Sequence, residues 1–570
     1  MTHWGPVLLT PERTRFRLWA PDRDAVTLEI DGAASVAMAR EADGWFAVEA
    51  AAGAGTRYRF RLDADLAVPD PASRGQSGGV HGWSVVVDPG TYRWQTDDWR
   101  GRPWEEAVIW EVHVGTLDGF AGVAETLPAL ADLGITAIEL MPVNAFGGTR
   151  NWGYDGVLPF APAESYGTPD DLKALIDRAH GLGLMVFLDV VYNHFGPDGN
   201  YLGAYAAGFF DAEVHTPWGG AVAVETPAVH AFFRENASMW LNDYRFDGLR
   251  FDAVHAIGNA DFLDELAGEV RAATGPDRHV HLVLENEHND AARLSPARYD
   301  AQWNDDFHNV LHVLLTGETS GYYADFAERP AERLARCLGE GFIYQGEGSP
   351  NHDGKPRGTP SAHLPPTAFV SFLQNHDQIG NRAMGERLTL LADPAKLRAG
   401  TALLLLSPQI PLLFMGDEHG SQSPFLFFTD FHDDLADAVR EGRRREFAKF
   451  AAFADPAARA QIPDPNAEAT FAQSRAMPGP SADAWRALYA QLLALRRDVI
   501  VPRLKGAQAI GAEAVGEGAV TARWRMGDGA TLTLAINLAD QPAAFPEMAD
   551  PLFALGEAGS PGSFGAWIDR

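Results

Sequence analysis

The sequence predicts an α/β protein, a TIM-type (β/α)8 barrel with an N-terminal β-sandwich and a small C-terminal β-domain. Three observations lead there. Residues 1–100 read as short strands of alternating polarity, punctuated by Gly and Asp. Residues 101–482 alternate short apolar runs with helical patterns. Residues 483–570 begin with a helical segment and then turn β-like again.

In the first region the strand candidates are 16–19 (FRLW), 26–30 (VTLEI) and 58–62 (YRFRL), with turns at Asp31-Gly32 and Asp43-Gly44. The polar, turn-rich stretch 97–104 (DDWRGRPW) marks the boundary with the second region. There the candidates are 108–114, 135–143, 184–191, 246–254, 281–285, 299–303, 369–374 and 410–415, the sixth being the weakest. Several are apolar throughout, which suits strands buried on both faces. Between two of them Thr168 can cap a helix, Pro169 suits its first position, and Leu172, Leu175, Ile176 and Ala179 recur at helical spacing until Gly181 and Gly183. Seven or eight strand–helix units in series imply a closed barrel, although a doubly wound open sheet would satisfy the same count. A helical segment near 484–497 precedes the C-terminal strands 520–525 and 531–537. The Gly-, Pro-, Ser- and His-rich stretch 345–366 is a flap or a long surface loop.

Composition narrows the functional classes. Of 570 residues, 46% are hydrophobic and 22% charged, an ordinary globular balance that excludes wholesale disorder. Lys and Arg total 46 against 77 Asp and Glu, a net charge of −31 that argues against nucleic acid or anionic membrane as a partner. The single cysteine, Cys337, excludes an internal disulfide framework and fits a reducing compartment. The opening residues lack the apolar core of a secretory leader, and no run of about 18 apolar residues occurs. We therefore expect a soluble cytoplasmic protein. The histidines show no zinc-type spacing, and neither a phosphate-cradling G-x-x-x-x-G-K-[ST] loop nor a strand-linked G-x-G-x-x-G occurs, so neither a metal nor a cofactor is expected.

Barrel enzymes carry their chemistry at the C-terminal ends of the strands. Here the third strand runs into Asp189 and His194, the fourth carries Arg250, Asp252 and His255, the fifth ends at Glu285 with Glu287 beyond it, and the seventh ends at Asn375, His376 and Asp377. One such end is an ordinary Asp/Asn turn, but four on one rim form a constellation. Paired carboxylates suit glycosidic chemistry, in which one attacks and the other donates a proton. Arg250, two residues before Asp252 on one strand, faces the same side and would hold Asp252 ionised. The negative charge of Asp252 would in turn keep Glu285 protonated. A purely structural Arg250–Asp252 pair is the plainer alternative. Trp152, Tyr154, Tyr166, Tyr192, Tyr201 and Trp218 lie in polar, Gly-rich contexts that suit either sugar stacking or loop packing.

DVVYNH (189–194), GLRFDAVH (248–255), Glu285 in LVLENEHND and FLQNHD (372–377) resemble, in order and strand placement, the four motifs of the α-amylase superfamily. The resemblance implies a retaining mechanism on α-glucosidic bonds, with Asp252 as nucleophile, Glu285 as acid/base and Asp377 as third acid. It further implies that Arg250 supports the nucleophile and that Tyr154 stacks on sugar. Asp189, His194, His255, Asn375 and His376 are the remaining substrate-binding candidates. Glu287 competes with Glu285, which directly ends the apolar run. Asn193 sits where many amylases hold structural calcium, yet no calcium is expected here. The segments 148–157, 191–202, 374–387, 414–420 and 427–431 are similar to the maltooligosyltrehalose trehalohydrolases within that superfamily. That similarity implies cleavage of the α-1,4 bond next to the terminal trehalose of maltooligosyltrehalose, with maltooligosyltrehalose synthase as a functional partner. His255, Asp305, Asp306 and the 415–432 stretch are candidates for reading the 1,1-linked end. A glycogen branching or debranching enzyme is the alternative activity, and a catalytically dead glucan-binding protein the alternative class. The N-terminal sandwich is expected to buttress the barrel.

Overall fold

A computed structural model describes residues 4–216 and 219–569. Trp218 lies outside the described residues. Eight parallel strands close into a barrel in sequence order. They are β1 (Ile109–Val112), β2 (Ala137–Leu140), β3 (Met185–Val190), β4 (Gly248–Phe251), β5 (His281–Leu284), β6 (Ala301–Trp303), β7 (Phe369–Ser371) and β8 (Ile410–Phe414). All lie within the predicted runs, and closure of β8 onto β1 excludes the open sheet. Every residue of these strands is buried, which is why their sequences barely alternate. Below the polar rim, side chains such as Ile109, Met185, Phe187, Val283, Val370 and Leu412 fill a separate apolar cluster. The barrel is thus a packed core with its chemistry at one end.

The helix Pro169–Gly181 forms as its signals predict: the Thr168 hydroxyl accepts from the Asp171 N–H and the Asp171 carboxylate accepts from the Thr168 N–H. Its buried Leu172, Leu175, Ile176 and Ala179 form the inner face. Asp247, just before β4, ties the opposite rim together. Its carboxylate accepts from Trp99 Nε1 (2.7 Å), His180 Nε2 (2.9 Å) and the Val186 N–H (2.9 Å), joining the 97–104 stretch to the barrel.

The N-terminal strands form two sheets, one centred on Arg13–Trp19 and Trp45–Ala51, the other on Thr27–Ile30 and Arg57–Arg61. Phe16, Leu18, Leu28, Tyr58 and Phe60 are fully buried among them. Trp4 couples this unit to the barrel helix Pro227–Asn242: its backbone N–H donates to Glu235 (3.0 Å), Nε1 donates to Ala228 O (2.8 Å), and its ring packs 4.9 Å from Phe232. The C-terminal unit is a five-stranded antiparallel sheet that follows the helix Ala482–Leu495.

Candidate active site

The C-terminal ends of β3, β4 and β5 meet around one guanidinium. Arg250 is fully buried, and its plane lies 4.1 Å from the Trp303 ring at the end of β6. Its Nη1 donates to Asp189 Oδ2 (2.6 Å), its register partner on β3, and to Asp252 Oδ1 (2.9 Å). Its Nη2 sits 3.2 Å from Glu285 Oε2. One cation therefore brackets three carboxyl groups from adjacent strands, a fork geometry that lysine cannot supply. Asn193 completes the hold on Asp252, donating from Nδ2 to Oδ2 at 2.9 Å.

The backbone turns sharply after Asp252. Ala253 takes left-handed angles (φ 41°, ψ 48°), uncommon for a residue with a Cβ and found where a site over-determines its backbone. The turn aims the Ala253 N–H at Glu285 Oε2, 2.6 Å away. Burial, reinforced by the charges of Asp252, Asp377 and Asp305 and opposed by Arg250, pushes the Glu285 carboxyl up to about 8. Glu285 is thus an acid at neutral pH.

The opposite wall comes from β1, β7 and the segment after β2. Burial disfavours charge on His376, but Glu111 on β1 faces its Nδ1 and accepts its backbone N–H (3.1 Å), and the outcome is a His376 raised to about 9. His376 Nε2 lies 3.5 Å from Asp377 Oδ1. The Tyr154 ring stacks on the His376 ring at 5.0 Å, and its hydroxyl donates to Asp189 Oδ2 at 2.6 Å. His194 Nε2 donates to Tyr154 O (2.9 Å), and its Nδ1 faces the Asn193 amide oxygen.

These groups open into a cleft of about 510 Å³ whose lining includes Tyr154, His194, Asp252, His255, Glu285, His376 and Asp377. A larger hollow, about 1160 Å³, lies at the opposite end among Arg102, Thr136, Arg278 and His281 and contains none of the predicted site residues. Asp189, Arg250 and Asn375 do not line the cleft and act from beneath it. Asn375 caps the short helix His376–Gly380, its side-chain oxygen accepting the Asp377 N–H at 2.9 Å.

Of the candidates for the far end, His255 and Asp305 line the cleft, and burial with the Asp377 charge raises Asp305 to about 7. Asp306 is instead fully buried, bonded to Asn289 (3.0 Å) and the Ile343 N–H (2.8 Å), with Arg357 at 3.3 Å. It anchors the 345–366 stretch through Arg357 and does not line the cleft. Among the predicted aromatics, Trp152 and Tyr154 line the cleft, whereas Tyr166 and Tyr192 are buried in packing and Tyr201 bonds His81 (2.7 Å).

Sequence reasoning missed Glu111 and Glu139, single acids inside the apolar runs of β1 and β2. That isolation is itself the signal, because a strand buried on both faces tolerates a carboxyl only with a partner or a proton. Glu111 has His376; Glu139 has no hydrogen-bond partner on either oxygen, and burial raises it well above the carboxylate range. It also missed Tyr322, Asn351, His352 and Arg357, brought to the cleft by loops. Among the described residues no group of three or more His, Cys, Asp or Glu could hold a metal ion, and no helix is long and apolar enough to cross a membrane.

The family model described as the alpha amylase catalytic domain matches residues 93–207, and a domain of unknown function, DUF3459, matches 507–567. A malto-oligosyltrehalose trehalohydrolase of Deinococcus radiodurans is 43% identical over 500 residues, 85% of this chain and 81% of that protein. The chain belongs to the malto-oligosyltrehalose trehalohydrolase family. A family member from Saccharolobus solfataricus is 39% identical over 82% of each chain. A glucan branching enzyme of Pseudoalteromonas atlantica, by contrast, is 31% identical over 47% of this chain and 42% of its own. A solved Salmonella typhimurium protein assigned as an alpha amylase superposes with TM-score 0.94 at 45% identity, covering all of both chains. A pullulanase from Anoxybacillus sp. LM18-11 shares the fold, at TM-score 0.74 and 17% identity over all of this chain and 88% of its own.

Proposed function

We propose that this family member hydrolyses the α-1,4 bond next to the terminal trehalose of maltooligosyltrehalose with retention, releasing trehalose and a maltooligosaccharide. The observation that carries the mechanism is Arg250 bonded to Asp252 at 2.9 Å and lying 3.2 Å from Glu285, whose carboxyl burial pushes up to about 8. Retaining hydrolases need such a pair about 5–5.5 Å apart, and here one guanidinium contacts both carboxyl groups.

In the first step Glu285 gives its proton to the glycosidic oxygen as the C1–O bond breaks. An Asp252 carboxylate oxygen attacks C1, and trehalose leaves by its 4-hydroxyl. In the second step the Glu285 carboxylate takes a proton from water, whose oxygen attacks C1 and expels Asp252. The α-configuration is restored and Glu285 is protonated again. Tyr154, His194 and His376 surround the reacting glucose, and Asp377 binds its hydroxyls. Asp189 and Arg250 fix the nucleophile from below, and Asn375 aims Asp377. Because a 1,1-linked end must be installed by another enzyme, maltooligosyltrehalose synthase is the supplying partner, and we place both reactions in the cytoplasm.

Proton NMR of the first turnovers tests the mechanism. The maltooligosaccharide should be released as its α-anomer before mutarotation; initial β-anomer would contradict a double displacement.

A further inference from the structure

The general acid touches the leaving group, so the trehalose side of the cleft lies past Glu285. The structure carries an unusual arrangement there. Glu287 reaches into the cleft mouth with its side chain 52% exposed, and histidines from two different loops grip its carboxylate. His255, three residues beyond the nucleophile, approaches Oε2 with Nε2 at 3.5 Å. His352, on the short turn Pro350–His352, approaches Oε1 with Nε2 at 3.2 Å. The Glu287 N–H donates to His255 Nδ1 (3.3 Å), which leaves that ring's proton on the nitrogen facing the carboxylate. Arg357 Nε donates to Glu287 O (2.8 Å) while its Nη2 meets the buried Asp306, so the 345–366 stretch is pinned across the strand ends.

Behind this clasp a second hollow of about 500 Å³ opens, sharing His255, His352 and Arg357 with the catalytic cleft and extending to Lys355 and Asn286. Its size falls in the range of small-ligand pockets. It is rich in donors, among them Asn286, Arg293 and Lys355. A 1,1-linked terminal glucose turns the chain and offers hydroxyls where a reducing end offers an anomeric centre.

We propose that the mouth of the catalytic cleft beyond Glu285, where it meets this hollow, receives the terminal glucose of trehalose and that Glu287, which lines the cleft and is oriented by His255 and His352, is its specificity-determining acceptor. Glu287 is a binding group and takes no part in bond cleavage. The inference rests on the trehalohydrolase reading above.

The test compares kcat/KM for maltotetraosyltrehalose and maltohexaose, together with inhibition by free trehalose, in the wild type, Glu287→Ala and His352→Gln. Losing hydrogen bonds to a charged acceptor should cut the preference for the capped substrate roughly 10- to 100-fold in Glu287→Ala. The trehalose inhibition constant should rise by a similar factor, with the loss carried by KM more than kcat. His352→Gln, which keeps a donor toward Oε1, should retain most of the preference. An equal loss on both substrates, or an unchanged preference, overturns the assignment of Glu287. A wild type with no preference for the capped substrate overturns the underlying trehalohydrolase reading instead.

Discussion

The protonation of Glu285 gives the sharpest quantitative expectation. Its carboxyl titrates at about 8 because burial and the charges of Asp252, Asp377 and Asp305 outweigh the pull of Arg250. In the proposed mechanism the acid form is the active one, so kcat/KM should be near its plateau at pH 7 and fall through pH 8. About a tenth should remain at pH 9, and each further unit should cost about tenfold. Asp377→Asn removes one negative neighbour, which favours the Glu285 carboxylate and moves the limb to lower pH by roughly 0.5–1 unit, about 0.7–1.4 kcal/mol. The assay is a pH series of initial rates on maltotetraosyltrehalose for both proteins, with maltotetraosyl fluoride as a substrate whose leaving group needs no proton. The fluoride should lose the limb near 8. The same shift sets a stability trend. A raised folded-state carboxyl contributes stability below its unfolded value of 4.5, and that contribution is lost as pH rises through about 8. Glu285→Gln should therefore gain on the wild type in melting temperature between pH 5 and pH 8. A limb below pH 6, or a limb moving upward in Asp377→Asn, would refute this electrostatic reasoning.

Three further outcomes follow from other parts of the structure. Asp252→Asn should lose at least about a thousandfold in kcat while its circular dichroism and melting temperature stay near wild type; near-normal turnover would remove Asp252 from the nucleophile's role. Asp247→Ala strands the donors of Trp99, His180 and Val186 at the far rim, so denaturant titration should find about 3–5 kcal/mol less stability with the per-molecule kcat of folded enzyme unchanged. EDTA should leave turnover intact, because the Asn193 amide oxygen, the atom that could ligate calcium, already faces His194 Nδ1; activity lost to EDTA and restored by calcium would contradict this.

Much of this architecture is legible in the chain because burial leaves a direct trace. The eight barrel strands have both faces covered, so LMVFLDVV and HLVLE lack the alternation of a half-exposed sheet, and the acids that break each run mark the rim. Thr168, Pro169 and Asp171 spell out a helix start because capping is local. What stayed hidden depends on distant partners. The layer beneath the cleft, where Glu111 meets His376 and Trp303 underlies Arg250, is set by barrel closure rather than by neighbours in sequence. Asp306 and Asp305 are adjacent, yet one helix start sends the first into the protein and the second into the cleft. His352 and Arg357 reach the site because buried Asp306 and Asp325 pin their loop, at Arg357 and at Ser349 and Asn351, and nothing local to Gly348–Gly358 predicts it.

In the proposed function the Arg250-held pair acts on a glucan capped by trehalose. Anion-exchange chromatography of the purified protein, incubated separately with maltotetraosyltrehalose, maltohexaose and glycogen, tests it most directly. Trehalose and maltotetraose should form from the first substrate, with slow cleavage of the second. Equal rates on the capped and uncapped chains would contradict it, and new α-1,6 linkages or debranched chains from glycogen would then identify the activity as branching or debranching.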